Sequence, residues 1–127
     1  MRIQRLDHLV LTVRDLARTL DFYVRVLGME EVTFGAGRKA LRFGDQKLNL
    51  HAADRPVDPN VRHATPGSAD FCLIVEGDLE EVAAEVRRAG VPIILGPVER
   101  TGALGPMRSI YFYDPDENLV ELATYPR

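Results

Sequence analysis

Only one cysteine, Cys72, occurs in the 127 residues, so no internal disulfide can form. That economy fits a reducing compartment. Positive charge is not in surplus either. Sixteen Lys and Arg face nineteen Asp and Glu, for a net charge of −3, and no basic run stands out. Nucleic-acid binding, which needs cations to neutralise phosphates, is therefore not expected. Uncharged stretches fall far short of the roughly 20 apolar residues that a membrane helix requires. The opening Met1-Arg2-Ile3-Gln4-Arg5 meets charge before any apolar run, a pattern expected of a cytoplasmic chain without a secretory signal. What is present is an ordinary globular balance, 46% hydrophobic and 28% charged. A chain of this length should bury about two-thirds of its unfolded surface.

The chain repeats itself. Leu6 to Val13 is dense in Leu and Val and predicts a strand; Asp15 can cap a helix whose apolar positions are Leu16, Leu20, Tyr23, Val24 and Leu27, with Gly28 as the stop. Three short strands should follow, Glu30 to Phe34, Lys39 to Phe43 and Lys47 to His51, with glycines at the turns. The second half opens alike. Phe71 to Val75 predicts a strand, and Asp78 with Glu81 a capping box. Leu79, Val82, Ala83, Val86 and Ala89 form a helical stripe ended by Gly90 and Pro92. Strands are then expected at Pro92 to Leu95, Ile110 to Tyr113 and Leu119 to Thr124. The expected class is α+β: two tandem βαβββ modules forming a curved mixed sheet around a cup-shaped cavity. Module 1 runs over about 1–53, a Pro-rich linker over 54–68 and module 2 over 69–127, all within one domain.

Local matching strengthens the repeat. Asp7 to Val13 lines up with Ala69 to Val75, so His8 corresponds to Asp70; Leu48-Asn49-Leu50 lines up with Val120-Glu121-Leu122, so Asn49 corresponds to Glu121. Side chains alternate across a strand. If the apolar runs pack beneath the helices, His8, Asn49, His51, Asp70, Cys72 and Glu121 share the opposite, inward faces. Buried polar groups cost roughly 1–3 kcal/mol each when unpaired, so such a set calls for partners. A divalent cation would satisfy two imidazoles and a carboxylate together, with positions left open for substrate. Taken singly, a strand-start His is more often a hydrogen-bonded structural residue, and the Glu of Val-Glu-Leu more often faces water. Only their related places in the repeat make the pair informative.

Three segments carry a family resemblance. They are Asp7-His8-Leu9-Val10-Leu11 followed by Arg14-Asp15-Leu16, Phe22 to Gly28, and the closing Asp114-Pro115-Asp116-Glu117-Asn118-Leu119-Val120-Glu121. Together they resemble the vicinal oxygen chelate superfamily, which includes glyoxalase I, bleomycin-resistance and fosfomycin-resistance proteins and extradiol dioxygenases. Lys47 to His51, Pro66 to Asp70 and Arg100 to Pro106 further resemble its glyoxalase-domain-containing subgroup. The resemblance implies His8 and Glu121 as metal ligands. It departs from glyoxalase I, which commonly has Glu where this chain has Asn49 and His where it has Asp70; lactoylglutathione lyase activity is not expected. His51 is the favoured third ligand, with Asp70 as a weaker ligand or an orienting group for His8. The metal could be Fe, Mn, Ni or Zn, since imidazole and carboxylate suit all four.

The implied function is a metal-dependent lyase, isomerase or dioxygenase acting on a small oxygen-rich substrate, and the implied assembly is a homodimer. The alternatives are a non-catalytic antibiotic-binding protein and a thiol transferase of the fosfomycin-resistance type. The first should favour an acidic, aromatic groove, and only nine aromatics are present. The second should show a cationic pocket, for which Arg42 and Lys47 are thin support. Glu121 and His63 are the candidate catalytic groups, His63 being a linker residue that could act as a proton carrier. Arg42, Asn49, Tyr111 and Tyr113 are candidates for contacting substrate. Cys72 is expected to be an inert, packed thiol. The segment Arg100 to Met107 is expected to form a mobile flap.

Overall fold

Each helix begins at an aspartate that breaks off the preceding strand. The computed structural model describes all 127 residues. The Asp15 carboxylate accepts from Arg18 N–H and starts α1 (Leu16–Arg25); that of Asp78 accepts from Glu80 N–H and starts α2 (Leu79–Arg88). Both are N-caps of the Asx type, which satisfy a donor left unpaired in the first turn. The capping box expected at Asp78 is met only in its first half, by Glu80 and not Glu81.

The chain divides into two compact units, Met1–Gly67 and Ser68–Arg127. The first holds β1 (His8–Val13), α1, β2 (Glu30–Phe34), β3 (Arg38–Phe43) and β4 (Gln46–Ala52). The second holds β5 (Asp70–Ile74), α2, β6 (Leu95–Gly102), β7 (Gly105–Tyr113) and β8 (Leu119–Thr124). Each unit carries a mixed four-stranded sheet, ordered β1-β4-β3-β2 in the first and β5-β8-β7-β6 in the second. The first strand of each pairs parallel with the last, and the rest are antiparallel. The two-module α+β reading therefore holds, with the eight strands in two sheets. Neither helix is long and apolar enough to cross a membrane.

Each core lies between one helix and the facing side of its sheet. In the first unit Leu11, Val13, Leu41, Leu48 and Leu50 bury against Leu20, Phe22 and Tyr23. In the second, Ile110, Phe112, Val120 and Leu122 bury against Leu79, Ala83 and Val86. Strand alternation thus puts Leu48 and Leu50 under a helix and their neighbours Asn49 and His51 on the other face. Exposed apolar residues remain on β1 at Val10, 40% exposed, and on β5 at Ile74, 57% exposed.

The sequence expectation fails at Arg100 to Met107. No free flap exists there; β6 and β7 form a hairpin paired from Glu99–Arg108 through Gly102–Gly105. A register shift between Leu95 and Val98 accommodates Gly96-Pro97, so the expected strand at Pro92 to Leu95 begins only at its last residue and runs on to Gly102. Gly96 has φ +110°, and a Cβ there would meet the Ser109 carbonyl oxygen at 2.4 Å. Only glycine fits so tight a bulge. The hairpin tip is pinned as well. Leu104 N–H donates to the Tyr125 hydroxyl at 3.0 Å, and a Cβ on Gly102 would lie 2.2 Å from that oxygen.

Candidate functional site

In the first unit, the imidazole of His8 stands at the first position of β1, half exposed, with Nδ1 2.8 Å from the Asp7 carboxylate. The adjacent acid fixes the ring so that Nε2 points away from Asp7, the arrangement that orients metal-binding histidines. Asp7 gains in turn: its hydrogen bond to His8 holds its carboxyl below the usual range. The Asp-His pair was legible as a dipeptide, but its hydrogen bond was not anticipated.

His51 does not join His8. In the β1–β4 ladder His8 pairs with Lys47 and Thr12 with His51, four register steps apart. Four rises amount to about 13 Å along strands whose side chains stand roughly perpendicular to the sheet. One metal ion, with bonds of about 2 Å to each nitrogen, cannot span that gap. The expectation of a His8–His51 ligand pair is thus corrected by register. His51 is instead buried, with neither ring nitrogen hydrogen-bonded, and Asn49 Oδ1 is likewise buried and unpaired.

The other first-unit candidates are committed or peripheral. Arg42 is exposed and ion-paired with Glu30 across β2 and β3. Lys47 stacks its ammonium 3.7 Å from the centre of the Phe34 ring. These partners leave little of the cationic pocket expected of a phosphonate-binding transferase. His63 lies in an exposed turn outside both sheets.

In the second unit the carboxylate of Glu121 is the centre of a cluster. Glu121 pairs with Cys72 on β5 and with Tyr111 on β7, so all three share one face. Its Oε2 is buried and unpaired. The Tyr111 hydroxyl accepts from Arg100 Nε at 2.9 Å, and Tyr111 lies directly across the β7–β8 ladder from Glu121. Burial, followed by the Glu121 carboxylate, raises the Tyr111 pKa, while Arg100 opposes the shift. Arg100 also stacks over the Tyr111 ring; in sequence it sits in a Gly- and Pro-rich segment that gives no sign of a site residue. Tyr113 is half exposed further along the same face.

Asp70 pairs with Leu119, two steps from Glu121 on the same side of the ladder. Two rises and one strand spacing put their Cα atoms about 8 Å apart, within reach of convergent carboxylates. Cys72 is exposed, not packed as expected. Even so, burial of its thiol, with the Glu121 charge second, pushes its pKa up to about 11. No cluster of three or more His, Cys, Asp or Glu stands ready for a metal ion. The one feature suited to a cation is Glu121 Oε2, a buried carboxylate oxygen without a partner.

The Asp114 to Asn118 loop explains how Glu121 is held. The Asp114 carboxylate accepts from Asp116 N–H, Asn118 N–H and the Asn118 side-chain amide, each at 2.9 Å. Asn118 Oδ1 then accepts from Ala69 N–H, and the Ala69 carbonyl accepts from Leu119 N–H. These bonds close the β7–β8 turn, hold Glu117 at φ +67° and fasten β8 to the start of β5. The Asp-Pro-Asp-Glu-Asn run is thus a scaffold, and it delivers Glu121 two residues beyond Leu119.

A family model for the Glyoxalase/Bleomycin resistance protein/Dioxygenase superfamily matches residues 5–122. The chain belongs to that superfamily. Among its relatives is the virulence protein STM3117 of Salmonella typhimurium, 51% identical over 98% of this chain and 87% of that protein. The glyoxalase domain-containing protein RDO1 of Mycosarcoma maydis is 46% identical over 98% of this chain and 70% of that protein. An integron cassette protein from the V. cholerae mobile metagenome has a solved structure that superposes with a TM-score of 0.98 at 51% identity, covering 99% of this chain and 98% of that one.

Proposed function

We propose that this superfamily member is a divalent-metal-dependent enzyme of the lyase, isomerase or dioxygenase type. Its substrate class is a small molecule carrying two neighbouring oxygens. Within the second unit Glu121 and Asp70 serve as carboxylate ligands, and within the first unit His8, its ring turned by Asp7, is the imidazole donor in place of His51. One observation carries the reading: Glu121 Oε2 is buried without any partner, on a strand fastened by a loop that leaves its position little freedom. A bound divalent ion would act as a Lewis acid toward adjacent substrate oxygens, whether it is Fe, Mn, Ni or Zn. The chain's own groups prepare that chemistry. Asp7 selects the tautomer and orientation of His8. Arg100 holds the Tyr111 hydroxyl in place, across the β7–β8 ladder from Glu121.

Two copies of the chain pair in this reading. Support comes from the apolar exposure of the sheet-edge strands β1 and β5, at Leu9, Val10 and Ile74. Light scattering of the purified protein tests the homodimer directly.

Elemental analysis of freshly purified, untagged protein tests the metal. About one transition-metal ion per chain, lost in both His8→Ala and Glu121→Gln, is the expected result. No uptake, even after soaking with each cation in turn, overturns the enzyme reading and favours a protein that only binds its ligand.

A further inference from the structure

The Lys47 ammonium lies 3.7 Å from the centre of the Phe34 ring, and the Arg38 guanidinium lies 5.0 Å from it. Register makes the first of these contacts a long one. Lys47 pairs with Arg42 and Arg42 with Glu30, whereas Phe34 stands four residues further along β2. The contact therefore crosses the first sheet diagonally, over two strand spacings and four rises, on the face away from α1. Its midpoint is Ala40, which is 0% exposed although it too faces away from α1. Beside this strap, on β4, stand Asn49 and His51, 5% and 8% exposed. Asn49 Oδ1 and both His51 ring nitrogens have no hydrogen-bond partner. We propose that the Lys47–Phe34 strap gates a binding site for a small α-hydroxycarboxylate, with Asn49 and His51 as its floor.

The cations set the sign of the ligand. Lys47 and Arg38 rest on an aromatic ring and not on a carboxylate, so both remain available to an anion. The neighbouring acids are already engaged: Glu30 is ion-paired with Arg42, and Asp7 is hydrogen-bonded to His8. A charge-assisted hydrogen bond outweighs an exposed cation–π contact, so a carboxylate draws Lys47 off the ring and opens the face.

The floor sets the rest of the ligand. Asn49 Oδ1 only accepts, and a neutral His51 offers one donor and one acceptor. A carboxylate can satisfy the His51 donor but neither acceptor. A hydroxyl beside it supplies the missing donor, and a site built to pair a hydroxyl rejects the analogue that lacks it. An α-hydroxycarboxylate also presents two neighbouring oxygens. The site thus names a substrate class for the proposed function, and it rests on that reading for the reaction but not for binding.

Binding is measured on EDTA-treated protein, so that failure of the metal reading and failure of this site are told apart. The chain has only three histidines, and each imidazole can be followed by NMR after assignment with His8→Ala and His63→Ala. Malate and succinate, which differ by the hydroxyl, are titrated separately at constant ionic strength. The expected result is a saturable shift of the His51 ring resonances, half complete at about 1 mM malate, with succinate weaker by about tenfold or more. Lys47→Met, which keeps the stem and removes the charge, should weaken malate binding about tenfold with an unchanged circular dichroism spectrum. Phe34→Leu, which releases both cations from the ring, should bind malate about threefold tighter. Asn49→Leu should narrow the preference for malate over succinate. Equal affinity for the two acids, malate binding unchanged in Lys47→Met or weakened in Phe34→Leu, or no His51 shift up to about 50 mM of either acid overturns the proposal.

Discussion

Cys72 lies directly across the β5–β8 ladder from Glu121, one strand spacing away on the same face. The carboxylate therefore opposes the thiolate, adding to burial as the reason the Cys72 pKa is pushed up to about 11. A raised thiol pKa means that the folded state holds its proton more tightly than the unfolded chain does. Stability from this group is full below the ordinary thiol range and is lost as pH rises toward about 11.

Alkylation of native Cys72 should accordingly reach half its maximal rate near pH 11, not in the ordinary thiol range. Iodoacetamide rates measured across pH check this. Glu121→Gln should move the profile downward only part of the way, because burial, the larger cause, remains. A profile already saturated at pH 9 would contradict the raised pKa.

The acid side of the pH profile depends on Glu80. Arg108 on β7 grips its carboxylate from the first turn of α2 and draws its pKa from 4.5 down to about 2. A depressed acid stabilises the fold above its unfolded pKa and loses that contribution as pH falls through its folded value. The stability gap between the parent and Glu80→Gln should thus be constant near neutrality and close between about pH 4.5 and 2. Because the pair is exposed, salt should shrink the gap throughout. Thermal melts across pH at two ionic strengths measure both effects.

Removing the Asp114 carboxylate tests the scaffold beneath Glu121. Asp114→Ala orphans three buried donors at once, on Asp116, on the Asn118 backbone and on the Asn118 side chain. A loss of about 3 kcal/mol is expected in denaturant unfolding. Asp114→Asn, which keeps an acceptor oxygen, should lose about half as much. Equal stability of Asp114→Ala and the parent would remove the loop's assigned role.

Parts of this architecture were open to reading and parts were not. Alternation with period two put His8, Asn49, Asp70 and Glu121 on the faces away from the helices without any structure, because Leu48, Leu50, Val120 and Leu122 so plainly need a core. Register was not readable. Nothing in the first-unit sequence says that His8 meets Lys47 and not His51, and that offset alone removed His51 from the ligand set. The β6–β7 hairpin was missed because Gly96-Pro97 and Gly105-Pro106 look like chain breakers. Yet β6 is the edge strand of its sheet and Pro106 stands near the start of β7, both places where a missing N–H is tolerated. The Asp114 loop was recognisable as a motif, but its work is done by carboxylate-to-backbone bonds that only a folded turn creates.

The two tight glycines of that hairpin should respond unequally to alanine. At Gly96 the added Cβ meets backbone, the Ser109 oxygen at 2.4 Å and Ile110 Cα at 2.9 Å, and φ is +110° besides. At Gly102 it meets side-chain ends, the Tyr125 hydroxyl at 2.2 Å and Met107 Sδ at 2.6 Å. Backbone in a paired hairpin cannot retreat, whereas a tyrosine tip can, at the cost of its bond to Leu104. Gly96→Ala should cost about 3 kcal/mol or more and Gly102→Ala about 1 kcal/mol. Tyr125→Phe, which removes one of the two clashing atoms and leaves Met107 Sδ, should reduce but not abolish the cost of Gly102→Ala in a double-mutant comparison.

Metal affinity orders the competing third ligands. Asp70 is two register steps from Glu121 and shares its face, so the two carboxylates can converge. His51 is four steps from His8 and cannot. The repeat adds a second reason: His8 pairs two steps short of Asn49 as Asp70 does of Glu121, so the second unit reproduces the His8 position with a carboxylate. Metal titration of the single variants should therefore give Glu121→Gln and His8→Ala as the weakest binders. Asp70→Asn should lose about tenfold or more in affinity, while His51→Asn stays within about threefold of the parent. The reverse order would return the third ligand to His51, and would mean that the first unit's ladder shifts by several residues when metal binds.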